Sequence, residues 1–380
     1  MSKPYVVGID IGGTNTVFGI VDARGSILAT GSIKTQKYTE ITDYVNALHE
    51  ELSRLLAQEN VTDQIAGIGI GAPNGNYFNG TIEFAPNLPW KGVIPLAQMV
   101  REKFNIPVTI TNDANAAAIG EMTYGAARGV KDFIMITLGT GVGSGIVING
   151  QMVYGHDGFA GELGHVIVRR GNGRLCGCGR TGCLEAYTSA TGVARTAREF
   201  LELRNDESTL RQLPIQEITS KDVYDAAVSG DKLSQEIFEY TGTILGEAFA
   251  DFIAFSSPKM IVLFGGLAKS GELIMRPIRE AMEKNLLAIY KGKVKLVLSE
   301  LRERCRRIGS QCSGLGSQLI GIRYIKRKGL QCSPFLLIQT YLFLLQSLVH
   351  SSRSTPTVSH SKNNRSTTSH NISSCINIRY

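Results

Sequence analysis

Two glycine-rich loops, each between two β-strand patterns, restrict most strongly what this chain can fold into. The first loop is Asp10-Ile-Gly-Gly-Thr14, between the β-branched runs 5–9 and 16–21. The second loop, Leu138-Gly-Thr-Gly-Val-Gly143, is flanked by strand patterns in the same way. Rossmann and P-loop folds need a glycine-rich loop that leads from a strand into a helix, which argues against both. A glycine hairpin between strands can instead turn its backbone N–H groups toward a phosphate.

The sequence repeats this opening, which predicts a duplicated α/β unit. Residues 26–33 add a third strand after the first loop, and residues 151–154 do so after the second. A buried strand pattern follows in each half, at 65–70 and at 260–264, the latter ending in Gly265-Gly266. The two hairpins and this third glycine turn together predict a nucleotide site. Strands are also predicted at 108–111 and 294–298, and helices at 41–58, 114–122, 189–204, 221–229 and 231–255.

The charge of the chain is unevenly distributed, although its composition is that of a globular protein large enough for two domains. Of its 380 residues 43% are hydrophobic, and the formal net charge is +7. Residues 301–380 hold 12 Lys and Arg but one acid, whereas residues 1–300 hold 28 bases and 32 acids. The body of the protein is mildly acidic, so the total charge gives no reason to expect nucleic acid or a membrane as partner. No apolar signal segment is visible and the run 335–349 is too short and polar to span a membrane, so we expect a cytoplasmic protein.

Four potential metal ligands lie close together in the sequence. Three of the seven cysteines fall within eight residues, and a histidine precedes them. Three thiolates and one imidazole make a complete tetrahedral zinc set without an open position, which predicts a structural ion. A reducing compartment favours this interpretation over disulfides, while buried free cysteines or a redox pair are the alternatives. The predicted ligands are His165, Cys176, Cys178 and Cys183.

A carboxylate at the end of a strand is the best candidate for acid–base chemistry. Asp113 follows the strand pattern 108–111 and precedes a helix, where a cleft opens in α/β folds. Phosphoryl transfer to an alcohol requires a group that accepts the hydroxyl proton, which Asp113 could be. The alternative is that Asp113 only caps the helix that follows. Glu162 and Glu185, on either side of the cysteines, would bind substrate hydroxyls if the cysteine loop folds over the cleft, and are otherwise solvated surface acids.

Taken together, these motifs resemble the bacterial ROK family (repressors, open reading frames, sugar kinases), and within it the glucokinases. The resemblance covers about residues 5–300. Its most specific elements are Gly161-Glu-Leu-Gly-His165 and Cys176-Gly-Cys-Gly-Arg-Thr-Gly-Cys-Leu-Glu185, beside Asp-Ile-Gly-Gly-Thr and Asn-Asp-Ala-Asn. It implies the actin/hexokinase-like ATPase fold, with two ribonuclease-H-like α/β domains and a cleft between them. The smaller domain would span 1–118 and the larger, with the zinc loop, 119–301; a homodimer is also implied.

Carried onto this sequence, the resemblance implies ATP-dependent phosphorylation of a hexose 6-hydroxyl, with glucose the leading substrate and Asp113 the general base. His165 would serve twice, with one ring nitrogen on zinc and the other toward the sugar. Kinases for N-acetylmannosamine, N-acetylglucosamine or fructose are the alternatives, because the pocket at the sugar C2 is not readable from sequence. The implied sugar-binding set is Gly71, Ala72, Asn87, Asn112, Asp113, Glu162, His165 and Glu185. The implied set for MgATP is Asp10, Gly12, Gly13, Thr14, Gly139, Thr140, Gly141, Gly143, Gly265 and Gly266.

Two further points bear on the resemblance within the body of the chain. A ROK-type repressor would need a DNA-binding helix-turn-helix before the first loop, and only nine residues precede Asp10, so we expect a kinase and no nucleic-acid partner. The sequence Gly-Ala-Pro-Asn74 ends in asparagine where the family usually has glycine. Asparagine tolerates left-handed backbone angles, so we expect the turn to be kept.

The segment 302–380 departs from the family. The resemblance leads us to expect, soon after Leu298, a helix of the type Asp-Ala-Ala-x-x-Gly-Ala-x-x-Leu beside the nucleotide, but the chain reads Arg304-Cys-Arg-Arg-Ile-Gly-Ser-Gln-Cys-Ser-Gly-Leu315. Back-translated with codons chosen to fit and shifted by one base, this stretch encodes Asp-Ala-Ala-Val-Leu-Gly-Ala-Ser-Ala-Leu-Gly. We therefore hypothesise that residues from about Arg302 are translated out of frame and are largely disordered. The alternatives are a genuine basic extension and, for function, a catalytically impaired sugar-binding protein.

Overall fold

The computed structural model describes residues 3–22 and 25–301, which form two five-stranded sheets, a small third sheet and the helices around them. The strands are β1 (Tyr5–Ile11), β2 (Asn15–Asp22), β3 (Ile27–Lys34), β4 (Ile65–Ala72), β5 (Gly75–Asn76), β6 (Thr81–Glu83), β7 (Val93–Ile94), β8 (Val108–Asn112), β9 (Phe133–Leu138), β10 (Val142–Ile148), β11 (Gln151–Met152), β12 (Met260–Gly265) and β13 (Lys295–Leu298). The α-helices are α1 (Ile41–Gln58), α2 (Leu96–Phe104), α3 (Asp113–Tyr124), α4 (Glu185–Thr188), α5 (Ala190–Leu203), α6 (Ser220–Val228), α7 (Lys232–Ser256) and α8 (Glu272–Asn285).

The first sheet has the strand order β3-β2-β1-β4-β8. Strand β1 is antiparallel to β2 and parallel to β4, which is in turn parallel to β8. Helix α1 presents an apolar residue on every turn, and Tyr44, Leu48 and Leu52 are fully buried against the sheet. The β-branched residues of β1 and β4 fill the same core, so local propensity and packing agree here.

The second sheet repeats this arrangement, with the order β11-β10-β9-β12-β13. Strand β9 is antiparallel to β10 and parallel to β12, and β12 is parallel to β13. Its core is larger because α5, α6, α7 and α8 all contribute buried side chains. Gly242 and Gly246 of α7 let α8 approach closely, since a Cβ at Gly242 would stand 2.5 Å from the ring of Pro277. The predicted duplication of an α/β unit is confirmed by the two matching strand orders.

Helix α3 connects the two sheets directly. It follows β8 of the first sheet, yet its small alanines pack on β10 of the second: Cβ atoms at Gly143 and Gly145 would stand 3.0 and 2.8 Å from those of Ala114 and Ala118. The helix is buried on nearly all sides, as its alanine-rich sequence suggests. The domain boundary at 118/119 falls inside α3 and stays a prediction.

The predicted elements are largely confirmed, and the failure to predict α8 has a physical explanation. Helix α1 has the predicted bounds, and the helices predicted at 189–204, 221–229 and 231–255 are α5, α6 and α7. Helices α2, α4 and α8 were not predicted from the sequence, and Pro277 inside α8 is a residue that normally ends a helix. In α8 the proline is buried, so tertiary packing stabilises a helix that propensity disfavours.

Two further expectations concern the tail and membrane-spanning segments. The tail 302–380 and the proposed change of reading frame lie outside the described residues. Among the helices of residues 3–22 and 25–301, none combines the length and the apolar character needed to cross a bilayer.

Candidate active site

The carboxyl ends of three adjacent strands in the first sheet bring together residues that are far apart in sequence. The register pairs Asp10 of β1 with Gly71 of β4, and pairs Ala72 of β4 with Asn112 of β8. Asp113 follows at once, as the first residue of α3. Carboxyl ends of parallel strands are where clefts open in α/β sheets, so these predicted residues line one edge.

The start of α3 explains how Asp113 is held. Asn112 is the residue that caps the helix: its Oδ1 accepts a hydrogen bond of 2.8 Å from the backbone N–H of Ala114. The Asp113 carboxylate accepts from the same N–H at 2.8 Å. Asn112 therefore does the capping that was the alternative role for Asp113, and one carboxylate oxygen of Asp113 remains for other partners.

Two carboxyl groups of this edge have raised pKa values. Asp113 is solvent-accessible, but the protein atoms around it desolvate the carboxyl and raise its pKa. Burial raises the pKa of Asp10 from 3.8 to about 7, and the negative charge of Asp113 adds to the effect. The two acids are thus close enough to interact, and a positive charge between them would stabilise both ionised forms.

The first glycine loop is shaped mainly by its own backbone. Gly12 N donates to Asn15 O at 3.0 Å across the hairpin of β1 and β2, and Thr14 O accepts from Thr35 N at 3.0 Å. Gly13 lies against the segment of Asn87, whose carbonyl oxygen would be 2.9 Å from a Cβ. The structure thus brings the predicted sugar residue Asn87 next to the predicted phosphate loop, and only glycine fits at position 13 without movement.

The second glycine loop lies at the corresponding edge of the second sheet, between β9 and β10. Leu138, at the end of β9, pairs with Gly265, at the end of β12. Gly265 has a φ of +115° and would place a Cβ 2.2 Å from Leu138 O, so this position needs glycine. Gly266 precedes a short 3-10 helix at 267–270, and a Cβ there would meet open space.

Side chains from outside the second loop hold it in place. Gly143 N donates to Thr137 Oγ1 at 3.1 Å, and Val142 N donates to Glu185 Oε2 at 2.9 Å. Thr191 Oγ1 donates to Thr140 O at 3.0 Å. Thr137 and Thr191 were not predicted as site residues, because no local motif marks either of them.

The four predicted metal ligands form one cluster. Cys178 Sγ and Cys183 Sγ are 3.7 Å apart, and Cys176 Sγ and His165 Nδ1 are also 3.7 Å apart. All four ligand atoms lie within 4.8 Å of one another. Bonds of about 2.3 Å to a tetrahedral zinc ion would separate two sulfurs by roughly 3.8 Å, so the donor set fits zinc in both chemistry and size.

His165 connects this cluster with a carboxylate. Its Nδ1 faces Cys176, whereas its Nε2 lies 3.9 Å from Glu162 Oε2. Burial raises the pKa of Glu162; the charge of His165 lowers it, and those of Asp113 and Glu185 raise it. Glu162 is therefore near enough to Asp113, at the strand edge of the first sheet, and to Glu185, beyond the cysteines, for their charges to affect its pKa.

Two further residues position the site and were not predicted. Ser144 Oγ contacts Gly161 O and accepts from Leu163 N at 3.1 Å, which fixes the backbone on both sides of Glu162. The buried Arg174 donates to Thr196 Oγ1 at 2.9 Å and fastens the cysteine segment to α5.

Asn74 has a φ of +51°, which confirms that asparagine keeps the expected left-handed turn.

The two matching sheets, with glycine hairpins at corresponding edges and acids between them, define the actin/hexokinase-like ATPase fold. The chain belongs to the ROK family, whose sequence model matches residues 6–311. A glucokinase of Halalkalibacterium halodurans is 37% identical to it over 74% of this chain and 86% of its own length. The solved structure of a ROK family glucokinase from Streptomyces griseus in complex with glucose and AMPPNP has 32% identity and a TM-score of 0.65, covering 78% of this chain and 95% of that one. A xylose repressor of Caldicellulosiruptor bescii is 31% identical over 64% of this chain and 61% of its own length.

Proposed function

We propose that this protein is a sugar kinase that transfers the γ-phosphoryl group of ATP to the 6-hydroxyl of glucose. The observation that carries the proposal is the position of Asp113. Its carboxyl group interacts electrostatically with Asp10, beside the first glycine loop, and with Glu162, beside the metal cluster. A base located between a phosphate side and a hydroxyl side is what this reaction requires.

In the proposed reaction the sugar 6-hydroxyl attacks the γ-phosphorus in line with the leaving ADP. The new O–P bond forms as the bond to the β-phosphate oxygen breaks, and the hydroxyl proton passes to Asp113. The raised pKa makes ionised Asp113 a stronger base than an ordinary aspartate. The hydrogen bond from Ala114 N fixes the carboxylate in one orientation.

The sugar would lie between the strand edge and the cysteine segment. Asn112, Glu162 and Glu185 offer the oxygen acceptors, and His165 Nε2 points toward Glu162 on the same side. Residues Gly71 and Ala72 carry no bulky side chain and would form the floor of the pocket. Glucose is the preferred substrate in this proposal because glucokinases are among the relatives at more than 30% identity, and because one of them was solved with glucose and AMPPNP.

Two metal ions belong to the proposal. Mg²⁺ bound with ATP would neutralise charge at the phosphates, and Asp10 is the carboxylate that would orient it or its waters. Zinc on His165, Cys176, Cys178 and Cys183 would be structural, because the set leaves no open coordination position. A cytoplasmic location is also proposed, since three cysteines that are close together without forming a disulfide suit a reducing compartment. The homodimer implied by the family resemblance is proposed with them.

A coupled assay of ADP formation over a panel of sugars tests the proposal. With MgATP we expect glucose to give a kcat/KM about tenfold or more above fructose, N-acetylmannosamine and N-acetylglucosamine. The same preparation should contain one zinc per chain. A preference for another sugar of the panel would contradict the choice of glucose, and absence of phosphorylation with every sugar would contradict a kinase.

The tail makes a paired measurement necessary. The assay should compare this chain with a chain in which the single-base shift near Arg302 restores the expected Asp-Ala-Ala motif. Activity in the second chain alone would support the frame hypothesis and make the present chain the impaired sugar-binding protein. Equal activity in both chains would contradict the impairment. The frame hypothesis itself is contradicted if no single-base shift in the coding DNA near Arg302 restores an open frame with that motif.

A further inference from the structure

The second glycine loop is attached to the segment that immediately follows the cysteines. Three hydrogen bonds join the two. Val142 N donates to Glu185 Oε2 at 2.9 Å, Ala190 N donates to Gly139 O at 2.8 Å, and Thr191 Oγ1 donates to Thr140 O at 3.0 Å. Cys183, a ligand of the metal cluster, precedes Glu185 by two residues. The loop and the cluster are therefore parts of one continuous structure.

Glu185 is the side chain that spans the gap between them. Its Oε2 accepts from Val142 N, and its Oε1 lies 3.4 Å from Cys176 Sγ. The loop is shaped to admit this carboxylate: a Cβ at Gly141 would stand 2.4 Å from Glu185 Oε2. The absence of a side chain at Gly141 thus has a specific cause, which is the approach of Glu185.

This arrangement determines which amides of the loop can face a phosphate. Gly139 N donates to Gly141 O at 3.0 Å, Gly143 N donates to Thr137, and Val142 N donates to Glu185. The two amides at the tip of the loop, those of Thr140 and Gly141, have no hydrogen-bond acceptor among the described residues. By fixing Val142, Glu185 leaves the tip amides as the donors available to an anion.

We propose that Glu185 is a positioning residue for the nucleotide: it transmits the geometry of the metal cluster to the second glycine loop, in addition to any contact it makes with the sugar. This inference rests on the proposed function in that it takes loop 139–143 to bind the phosphates of ATP. It assigns Glu185 an effect on nucleotide affinity that persists when no sugar is present. A residue that only bound sugar hydroxyls would have no such effect.

Two measurements without sugar test the inference. The first is hydrogen exchange of the amides of residues 139–143 in the ligand-free protein, and the second is calorimetric binding of Mg²⁺ and AMPPNP. Glu185→Ala should accelerate exchange at Val142 and weaken AMPPNP about tenfold, the usual effect of losing a hydrogen bond to a charged group. Glu185→Gln retains an acceptor oxygen and should recover most of the affinity.

The controls separate this role from general damage. Thr191→Val removes another anchor of the loop without touching a cysteine or the sugar side, and should weaken AMPPNP about threefold. Glu247→Gln breaks an exposed ion pair between α7 and Arg169, at 3.2 Å, and should leave both readouts unchanged. Glu162→Gln should weaken glucose but not AMPPNP.

The possible outcomes are distinguishable. If Glu185→Ala leaves exchange at Val142 and AMPPNP affinity as in the unmodified chain, the inference is wrong and the proposed function is unaffected. If exchange at Val142 accelerates but neither the unmodified chain nor the chain with the restored Asp-Ala-Ala motif binds AMPPNP, Glu185 positions the loop and the loop does not bind ATP, which overturns both proposals. If Glu185→Ala loses its zinc or fails to fold, Gly141→Ala decides, because its Cβ would displace Glu185 Oε2 from the loop. Unchanged exchange at Val142 and unchanged AMPPNP affinity in that variant overturn the inference.

Discussion

The two glycine loops occupy corresponding edges of matching sheets, yet they are held in different ways. The first loop is closed by backbone bonds of its own hairpin, such as Gly12 N to Asn15 O, and it begins with the acid Asp10. The second loop begins with Leu138 and is held by side chains that arrive from other elements, Glu185 and Thr191 among them. The strand order was duplicated, but the means of holding the loop was not.

The two halves of the molecule therefore make different contributions to the site. The first sheet supplies the two aspartates, because Asp10 and Asp113 lie at the ends of β1 and β8. The second sheet supplies a loop whose shape depends on the cysteine segment and on α5. The first half should therefore be sensitive to changes of charge, and the second to changes in distant contacts.

The largest expected effect is on turnover, through the base. Asp113→Asn keeps the size of the side chain and an acceptor for Ala114 N but cannot accept the hydroxyl proton, so kcat should fall by about 10²–10⁴-fold. The Kd for glucose should stay within about threefold, because the side chain keeps its hydrogen-bonding capacity. Single-turnover kinetics and calorimetry measure the two quantities. Asp63→Asn, an exposed acid at the amino end of β4, is the matched control, and turnover near normal in Asp113→Asn would refute the assignment.

The next effect is on the pH dependence of stability, which should originate in the first loop. Burial raises the pKa of Asp10 from 3.8 to about 7, so the folded protein binds this proton more tightly than the unfolded chain does. Stability from this group is then greatest below pH 4 and falls as the pH rises toward 7, by up to a few kcal/mol. Asp10→Asn should flatten that decline in thermal unfolding between pH 5 and 8, since it carries no titrating proton. An unchanged slope would show that Asp10 is not buried as described.

A second acid should behave in the same direction without belonging to either loop. Glu121 is fully buried on α3, where Ser299 Oγ and Ala126 N both donate to it, and burial raises its pKa from 4.5 to about 7. The comparison of Glu121→Gln with Asp10→Asn therefore separates the contribution of the loop from that of the helix. Asp113 and Glu162, whose pKa values are also raised, should contribute to the same decline and would account for the slope that remains in the double variant.

The smallest expected effect is the loss of stability when a methyl group is added to a glycine of each loop. Gly13→Ala forces a Cβ to within 2.9 Å of a backbone oxygen of Asn87, and should cost about 1–3 kcal/mol. Gly141→Ala meets only the end of the Glu185 side chain, which can move, so its cost in stability should stay below about 1 kcal/mol while the loop loses its anchor. Gly139→Ala, where a Cβ meets nothing within 4 Å, is the control. Urea unfolding midpoints measure the stability of each variant. A larger loss of stability in Gly141→Ala than in Gly13→Ala would contradict the predicted difference between the loops.

Much of this fold is readable locally. The strands around both loops and helix α1 follow from period-two and helical apolar spacing, and a cluster of His165 with three cysteines follows from ligand type and spacing. Helix α8 was not predicted, because Pro277 opposes a helix and only its burial against α7 compensates. The roles of Thr137, Thr191 and Ser144 could not be predicted from the sequence either, because an isolated serine or threonine belongs to no recognisable motif.

The sequence by itself determined the inventory of this protein: two glycine hairpins, a strand-end aspartate, a cysteine cluster and a basic tail that breaks the pattern. These features are encoded in neighbouring residues, and neighbouring residues are enough to specify a turn, a strand or a ligand spacing. Only the tertiary structure decided that Asp10 and Asp113 share one edge and that Glu185 reaches Val142. Such contacts join residues tens of positions apart, and their geometry is fixed by how two sheets pack on α3, which no local pattern records.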